Sequence, residues 1–138
     1  MNIIYISDFF VEQIAGGGEL VDDCLIKHLT SRGFSVSRIN SDKVNPIFLQ
    51  KNKENFFIVS NFVSLSEPHK KALESCRYII YEHDHKYILG RDPSPYKDFI
   101  APKTALCNLS FYKNAQVVIC QSKLHAEVLR KNIKSENI

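Results

Sequence analysis

Ile3-Ile4-Tyr5-Ile6-Ser7-Asp8-Phe9-Phe10-Val11-Glu12-Gln13-Ile14-Ala15-Gly16-Gly17-Gly18-Glu19-Leu20-Val21-Asp22-Asp23-Cys24-Leu25-Ile26-Lys27-His28-Leu29 is the stretch that decides the fold. Its first four residues are apolar and mostly β-branched with no polar alternation, which predicts a strand buried on both faces of a parallel sheet, the central first strand. Toward its end, Leu20, Val21, Cys24, Leu25 and Leu29 recur at helical spacing, with Asp22, Asp23 and Lys27 expected to point elsewhere. Gly33 follows as a stop. Between strand and helix lies Gly16-Gly17-Gly18-Glu19. Glycine lets a backbone turn tightly and approach a ligand, and the helix behind it offers unpaired N–H groups and partial positive charge. The run is a candidate cradle for phosphate or diphosphate, against the plainer alternative of a tight strand-to-helix turn.

The alternation continues outward. Phe34 to Ile39, Phe56 to Val59, Tyr78 to Tyr81 and Val117 to Cys120 read as further strands with helical pieces between them. Pro68 suits the first turn of a helix running to Glu74, and Ser122 suits the cap of a last helix in which Leu124, Val128 and Leu129 share a face. Strands alternating with helices predict α/β architecture, a doubly wound parallel sheet in three layers. The stretch from Glu82 to Pro102, with Gly90, Pro93, Pro95 and Pro102, reads as a long loop. It leaves the carboxyl end of a strand, where open α/β sheets bind ligands.

Composition bounds the rest. The 138 residues, 44% of them apolar, fit a single domain spanning 1–138 that buries roughly two-thirds of its unfolded surface. The longest apolar runs fall far short of the roughly 20 residues that cross a bilayer. The N-terminus lacks the basic start and small-residue cleavage site of a secretion signal, so a cytoplasmic location is expected. Cys24, Cys76, Cys107 and Cys120 are scattered without a C-x-x-C pair and read as reduced, mostly buried thiols. A net charge of +3, with acids among the bases, argues against a nucleic-acid partner.

Two constellations beyond the glycines carry chemistry. Glu82-His83-Asp84-His85-Lys86-Tyr87 follows a strand directly, and its histidines at i and i+2 beside carboxylates suit either a metal or hydrogen bonds to a ligand hydroxyl. No third cluster completes a metal site. Ser122, at another strand end, is a helix cap first and a ligand contact second, and His125 reads as a packing or capping residue. The glycine loop matches neither G-x-G-x-x-G nor the Lys-Ser/Thr ending of a P-loop.

Together the buried strand, G-G-G-E, the helix ending in Arg32-Gly33-Phe34-Ser35-Val36, the His83-Asp84 pair and Ala115-Gln116-Val117-Val118-Ile119-Cys120-Gln121-Ser122 resemble a known family. They are similar to the N-terminal, Rossmann-like domain of family 4 glycosyltransferases of GT-B fold, with Phe34 where the family usually has histidine. The resemblance implies a retaining enzyme that moves a sugar from a nucleotide-sugar donor to a glycan or lipid-linked acceptor, with no cofactor and no essential metal. It implies that Gly16, Gly17, Gly18 and Glu19 form the loop near the donor diphosphate and that His83 and Asp84 are catalytic. His85, Lys86, Tyr87 and Ser122 would contact the acceptor or the loop. The family's second domain, with its basic pair and E-x7-E element, is not in this chain, so a C-terminal GT-B partner domain, in the same or another chain, is implied. Contact with the inner face of a membrane and homo-oligomer formation are compatible with that role. The competing expectations are a non-catalytic module that binds a phosphorylated or glycosylated ligand, and a flavodoxin-like or receiver-like regulator.

Overall fold

In the computed structural model, which describes residues 2–138, strands β1 (Asn2–Ser7), β2 (Ser35–Asn40), β3 (Phe56–Val59), β4 (Arg77–Glu82) and β5 (Val118–Cys120) form one all-parallel sheet. The order is β2-β1-β3-β4-β5. Ile6 sits in register with Ile39 on one side and Val59 on the other, and Ile80 with Val118. From β1 the chain first steps out to β2 and then returns past it to β3, so the order reverses between β1 and β3. Such a switch point opens a crevice at the carboxyl ends of its strands.

The helices are α1 (Gly17–Ser31), α2 (Pro46–Lys51), α3 (Glu67–Leu73), α4 (Leu109–Asn114) and α5 (Lys123–Ile133). They divide unequally. Leu25, Ile26 and Leu29 of α1 pack alone against Ile3, Tyr5 and Ile58 on one face of the sheet. On the other face, Leu49, Leu73, Phe111, Tyr112, Leu129 and Ile133 from the remaining helices cover Ile4, Ile6, Phe57, Val59, Tyr78 and Ile80. That double cover is why β1 carries no polar alternation: Ile3 to Ile6 are at most 5% exposed, each contributing roughly 1.5–3 kcal/mol.

Local chemistry sets the ends of the elements. Past Arg32, Gly33 takes φ 89°, its N–H donates to Thr30 C=O at 3.0 Å and that of Phe34 to Leu29 C=O at 3.1 Å. This is a Schellman stop, which needs a residue tolerant of positive φ. The Ser122 hydroxyl accepts from His125 N–H at 3.1 Å and caps α5. At the β5 edge, Val118 N–H donates to Asn137 C=O at 2.8 Å, while the Asn137 amide donates to the Ala115 and Tyr112 carbonyls. At the β2 edge, Arg38 pairs with Glu12 at 2.8 Å.

The long loop is longer than expected, running from the end of β4 to Asn108 with only two short 3-10 turns inside it. The short helices α2 and α4 were not individually foreseen. The thiols depart from expectation: Cys24 is exposed and the other three are half-buried. Cys24 lies on the solvent side of α1, whose sheet-facing stripe is formed by neighbouring positions. No helix among the described residues is long and apolar enough to cross a membrane.

Candidate functional site

Positions 22, 25, 26 and 29 share one face of α1, and the last three carry its apolar contacts. Asp22 heads that stripe and is fully buried, whereas Leu20 is 51% exposed. The expectation that Asp22 points away from the sheet is therefore overturned. A buried carboxylate survives only where donors replace its water, and here four side chains do so. Tyr5 hydroxyl donates to Oδ1 at 2.7 Å, Ser60 hydroxyl to both oxygens at 2.8 and 2.7 Å, and Ser7 hydroxyl to Oδ2 at 3.3 Å. His83 Nε2 lies 2.7 Å from Oδ1.

The tautomer of His83 follows from its other neighbour. The Gln121 amide N–H₂ donates to Glu82 C=O at 3.0 Å and to His83 Nδ1 at 3.0 Å. Nδ1 therefore accepts, and Nε2–H donates to Asp22. Burial, then the Asp22 charge, pushes the Tyr5 phenol far above its usual range and keeps it a donor. Asp22 thus ties α1 to the ends of β1, β3 and β4 at the switch point.

Gly18 sits directly over this cluster. A Cβ there would meet Asn61 Nδ2 at 3.2 Å and the His83 ring at 3.6 Å, whereas one on Gly17 would meet nothing within 4 Å. On Gly16 it would press only on the end of the flexible Glu19 side chain, which folds back over it. None of the three has positive φ. The space for close approach is thus required at Gly18. Gly17→Ala is expected to leave thermal stability unchanged or raise it, by up to about 1 kcal/mol. Gly18→Val is expected to displace His83 and lower stability by about 1–3 kcal/mol. Urea melts of both variants check the contrast, and equal effects would remove the close-packing role.

The residues after β4 separate into two groups. His83, Asp84, His85 and Ser122 line one cavity of about 380 Å³, shared with Leu124 and His125. Lys86 and Tyr87 are buried instead, with side chains turned into the protein. The Lys86 ammonium, 2% exposed, lies 2.8 Å from Glu82 and 2.7 Å from Asp84. Tyr112 donates a hydrogen bond to Glu82. Burial pulls the Lys86 ammonium down, but the Glu82 and Asp84 charges outweigh it and hold it above its ordinary value. Burial raises the Glu82 carboxyl. Asp84 ends below its usual range because Lys86 and Arg91 outweigh its burial.

Tyr87 is a core residue whose raised hydroxyl, kept protonated chiefly by burial, donates to His85 Nδ1 at 2.6 Å. His125 Nε2–H donates to Asp84 C=O at 2.8 Å, and the two rings, His85 and His125, lie 4.6 Å apart. Burial lowers both imidazoles below their ordinary 6.5, and for His85 the His125 charge adds to it. Both are neutral at pH 7. The unfolded chain takes up their protons first, so stability is expected to fall as pH drops below about 6.5 toward the lowered folded values. A thermal-melt series from pH 7.5 to 5 should show this slope, and His85→Asn should flatten it.

Sequence reasoning missed Asp22, Ser60, Gln121 and Asp8. Asp8 accepts from the backbone N–H groups of Val63 and Ser64, both at 2.9 Å, and joins the loop after β1 to that after β3. The signal for Asp22 was its i, i+3, i+4 and i+7 relation to Leu25, Ile26 and Leu29. Among the described residues no group of three or more His, Cys, Asp and Glu is placed to hold a metal ion.

These elements define a doubly wound, Rossmann-like α/β protein with the Asp22 cluster at its switch point. No protein-family model matches the chain, and no curated protein matches it.

Proposed function

We propose that this chain is the acceptor-side domain of a retaining, GT-B-type glycosyltransferase that moves a sugar from a nucleotide-sugar to a glycan or lipid-linked acceptor. One observation carries the reading. The N-terminus of the 15-residue helix α1 meets His83 through Gly18 at the carboxyl ends of the switch-point strands. The first intrahelical bond runs from Leu20 N–H to Gly16 C=O, which leaves the N–H groups of Gly17, Gly18 and Glu19 for a diphosphate. His83 and Asp84 would face the sugar, and His85 and Ser122, on the same cavity wall, the acceptor or its loop.

Such a crevice needs a second wall. Orientation and electrostatic stabilisation in a dry site supply most of the rate in group transfer, so a C-terminal partner domain is part of the proposal. It would act at the cytoplasmic face. Calorimetry with a panel of nucleoside diphosphate sugars should give binding to the isolated chain that Gly18→Val weakens, with no measurable transfer. Robust turnover by the 138-residue chain would overturn the half-site claim, and absence of any binding would overturn the transferase reading.

A non-catalytic binding module is the second reading, favoured by one observation: both His83 ring nitrogens are already bonded within the chain. In that case His83→Gln would lower stability and leave ligand affinity unchanged. The strand order is also that of flavodoxin-like folds. Against a receiver-like regulator stand Asp8 and Asp22, each engaged by donors from the chain itself rather than held in an open acidic pocket.

A further inference from the structure

We infer that a separate pocket between the loop after β3 and the segment after β4 binds a phosphate-bearing small molecule. The inference is independent of the transferase reading. The pocket has a volume of about 170 Å³, and its polar wall is Lys70, Lys86, Arg91 and Asn108, with Phe62 and Leu89 among its apolar residues. No carboxylate is among the described residues that line it.

The cations are held in place before any ligand arrives. Lys70 donates to Glu67 at 2.6 Å and to Asn108 Oδ1 at 2.9 Å, and Lys86 to Glu82 and Asp84. Each ammonium has three N–H groups, so one on each is left over. Arg91 spends one nitrogen on Asp84 at 3.3 Å and keeps the rest of its fork. The Asn108 amide donates to Lys86 C=O at 2.7 Å, which fixes Asn108, and through it Lys70, against the Lys86 backbone.

The two ammoniums lie over the same ring, 5.9 and 5.2 Å from the Phe62 centroid. Glu82 and Asp84 already offset the Lys86 charge, so the attraction for an anion comes chiefly from Lys70 and Arg91. The Lys70 partner, Glu67, is 78% exposed and offsets little of this. A phosphate monoester accepts from several directions at once and matches two point charges and a guanidinium fork. Leu89 and Val63, 70% and 56% exposed at the mouth, suit an apolar portion attached to the phosphate.

The test is calorimetric titration of the full chain with sn-glycerol 3-phosphate, beside sedimentation with phosphatidylcholine vesicles containing or lacking phosphatidic acid. Arg91→Gln and Lys70→Met should each weaken glycerol-phosphate binding about tenfold or more, whereas Gly18→Val should leave it unchanged. Arg91 is exposed, so its variant carries the test if Lys70→Met fails to fold. Binding of the soluble ester alone identifies a free metabolite, and additional binding to the acidic vesicles identifies a lipid headgroup. No binding of either phosphate, affinity unmoved by Arg91→Gln, or equal loss in Gly18→Val would overturn the site.

Discussion

Asp22→Ala is expected to cost about 3–5 kcal/mol, because it orphans a set of buried neutral donors, and so to consume much of the 5–15 kcal/mol that holds a typical domain together. The hydroxyls of Tyr5 and Ser60 and His83 Nε2–H all point at this carboxylate. With the Ser7 hydroxyl, four donors are left buried without that acceptor when it is deleted, and each orphan costs about 1–3 kcal/mol unless it relaxes. Asp22→Asn should cost less, because the amide oxygen still accepts and the hydroxyls can rotate to accept from its nitrogen. Urea unfolding followed by circular dichroism ranks the two. A loss under 1 kcal/mol for alanine would mean that water enters the site, and the hub would then not be structural. By the same geometry, a His83→Ala change is expected to lower stability, because it removes one of the Asp22 donors.

Lys86→Met is the second large effect, again about 3–5 kcal/mol at neutral pH. It strands Glu82, which is fully buried and keeps only Tyr112 as a hydrogen-bonding partner of its carboxylate apart from the Asp84 N–H at 3.2 Å. The pH dependence has a definite sign. Burial already raises the Glu82 carboxyl in the folded protein, and losing the ammonium raises it further, so the native variant holds this proton more tightly than the unfolded chain. Stability of the variant must then fall as pH rises from about 4.5 through the raised folded value, and recover on acidification. Thermal melts of Lys86→Met between pH 4.5 and 8 test the slope. The double change Lys86→Met with Glu82→Gln should recover much of the loss, because no charge is then left unpaired. A flat profile would place the carboxylate in contact with water.

Much of the scaffold was legible because its causes are local. Phe56 to Val59 is bounded as expected, Gly33 stops α1 through its own φ, and Ser122 caps α5 through a bond three residues away. The site was less legible because its causes are distant. Asp22 and His83 are 61 residues apart, and a lone acid on an apolar stripe looks like a solvent-facing residue until Ser7, Ser60 and Tyr5 converge on it. Lys86 and Tyr87 follow a strand end in a polar segment, and nothing nearby in sequence says that they turn inward. Their burial depends on Glu82 and Tyr112, supplied by β4 and α4. The glycine run was read as a single cradle, yet only Gly18 of its three glycines sits against side chains from other elements.

The two edges of the sheet are closed by different means, and this bears on how copies of the chain can join. At β5 the Asn137 carbonyl takes the Val118 N–H that an incoming strand would use, while the Asn137 amide fastens that segment to the Ala115 and Tyr112 carbonyls. Strand addition there must first peel this latch away. At β2, protection rests on exposed polar side chains, Ser35, Ser37 and the Arg38–Glu12 pair, which discourage an incoming strand without blocking it. Edge-to-edge growth of this sheet, under conditions that screen charge, therefore begins at β2.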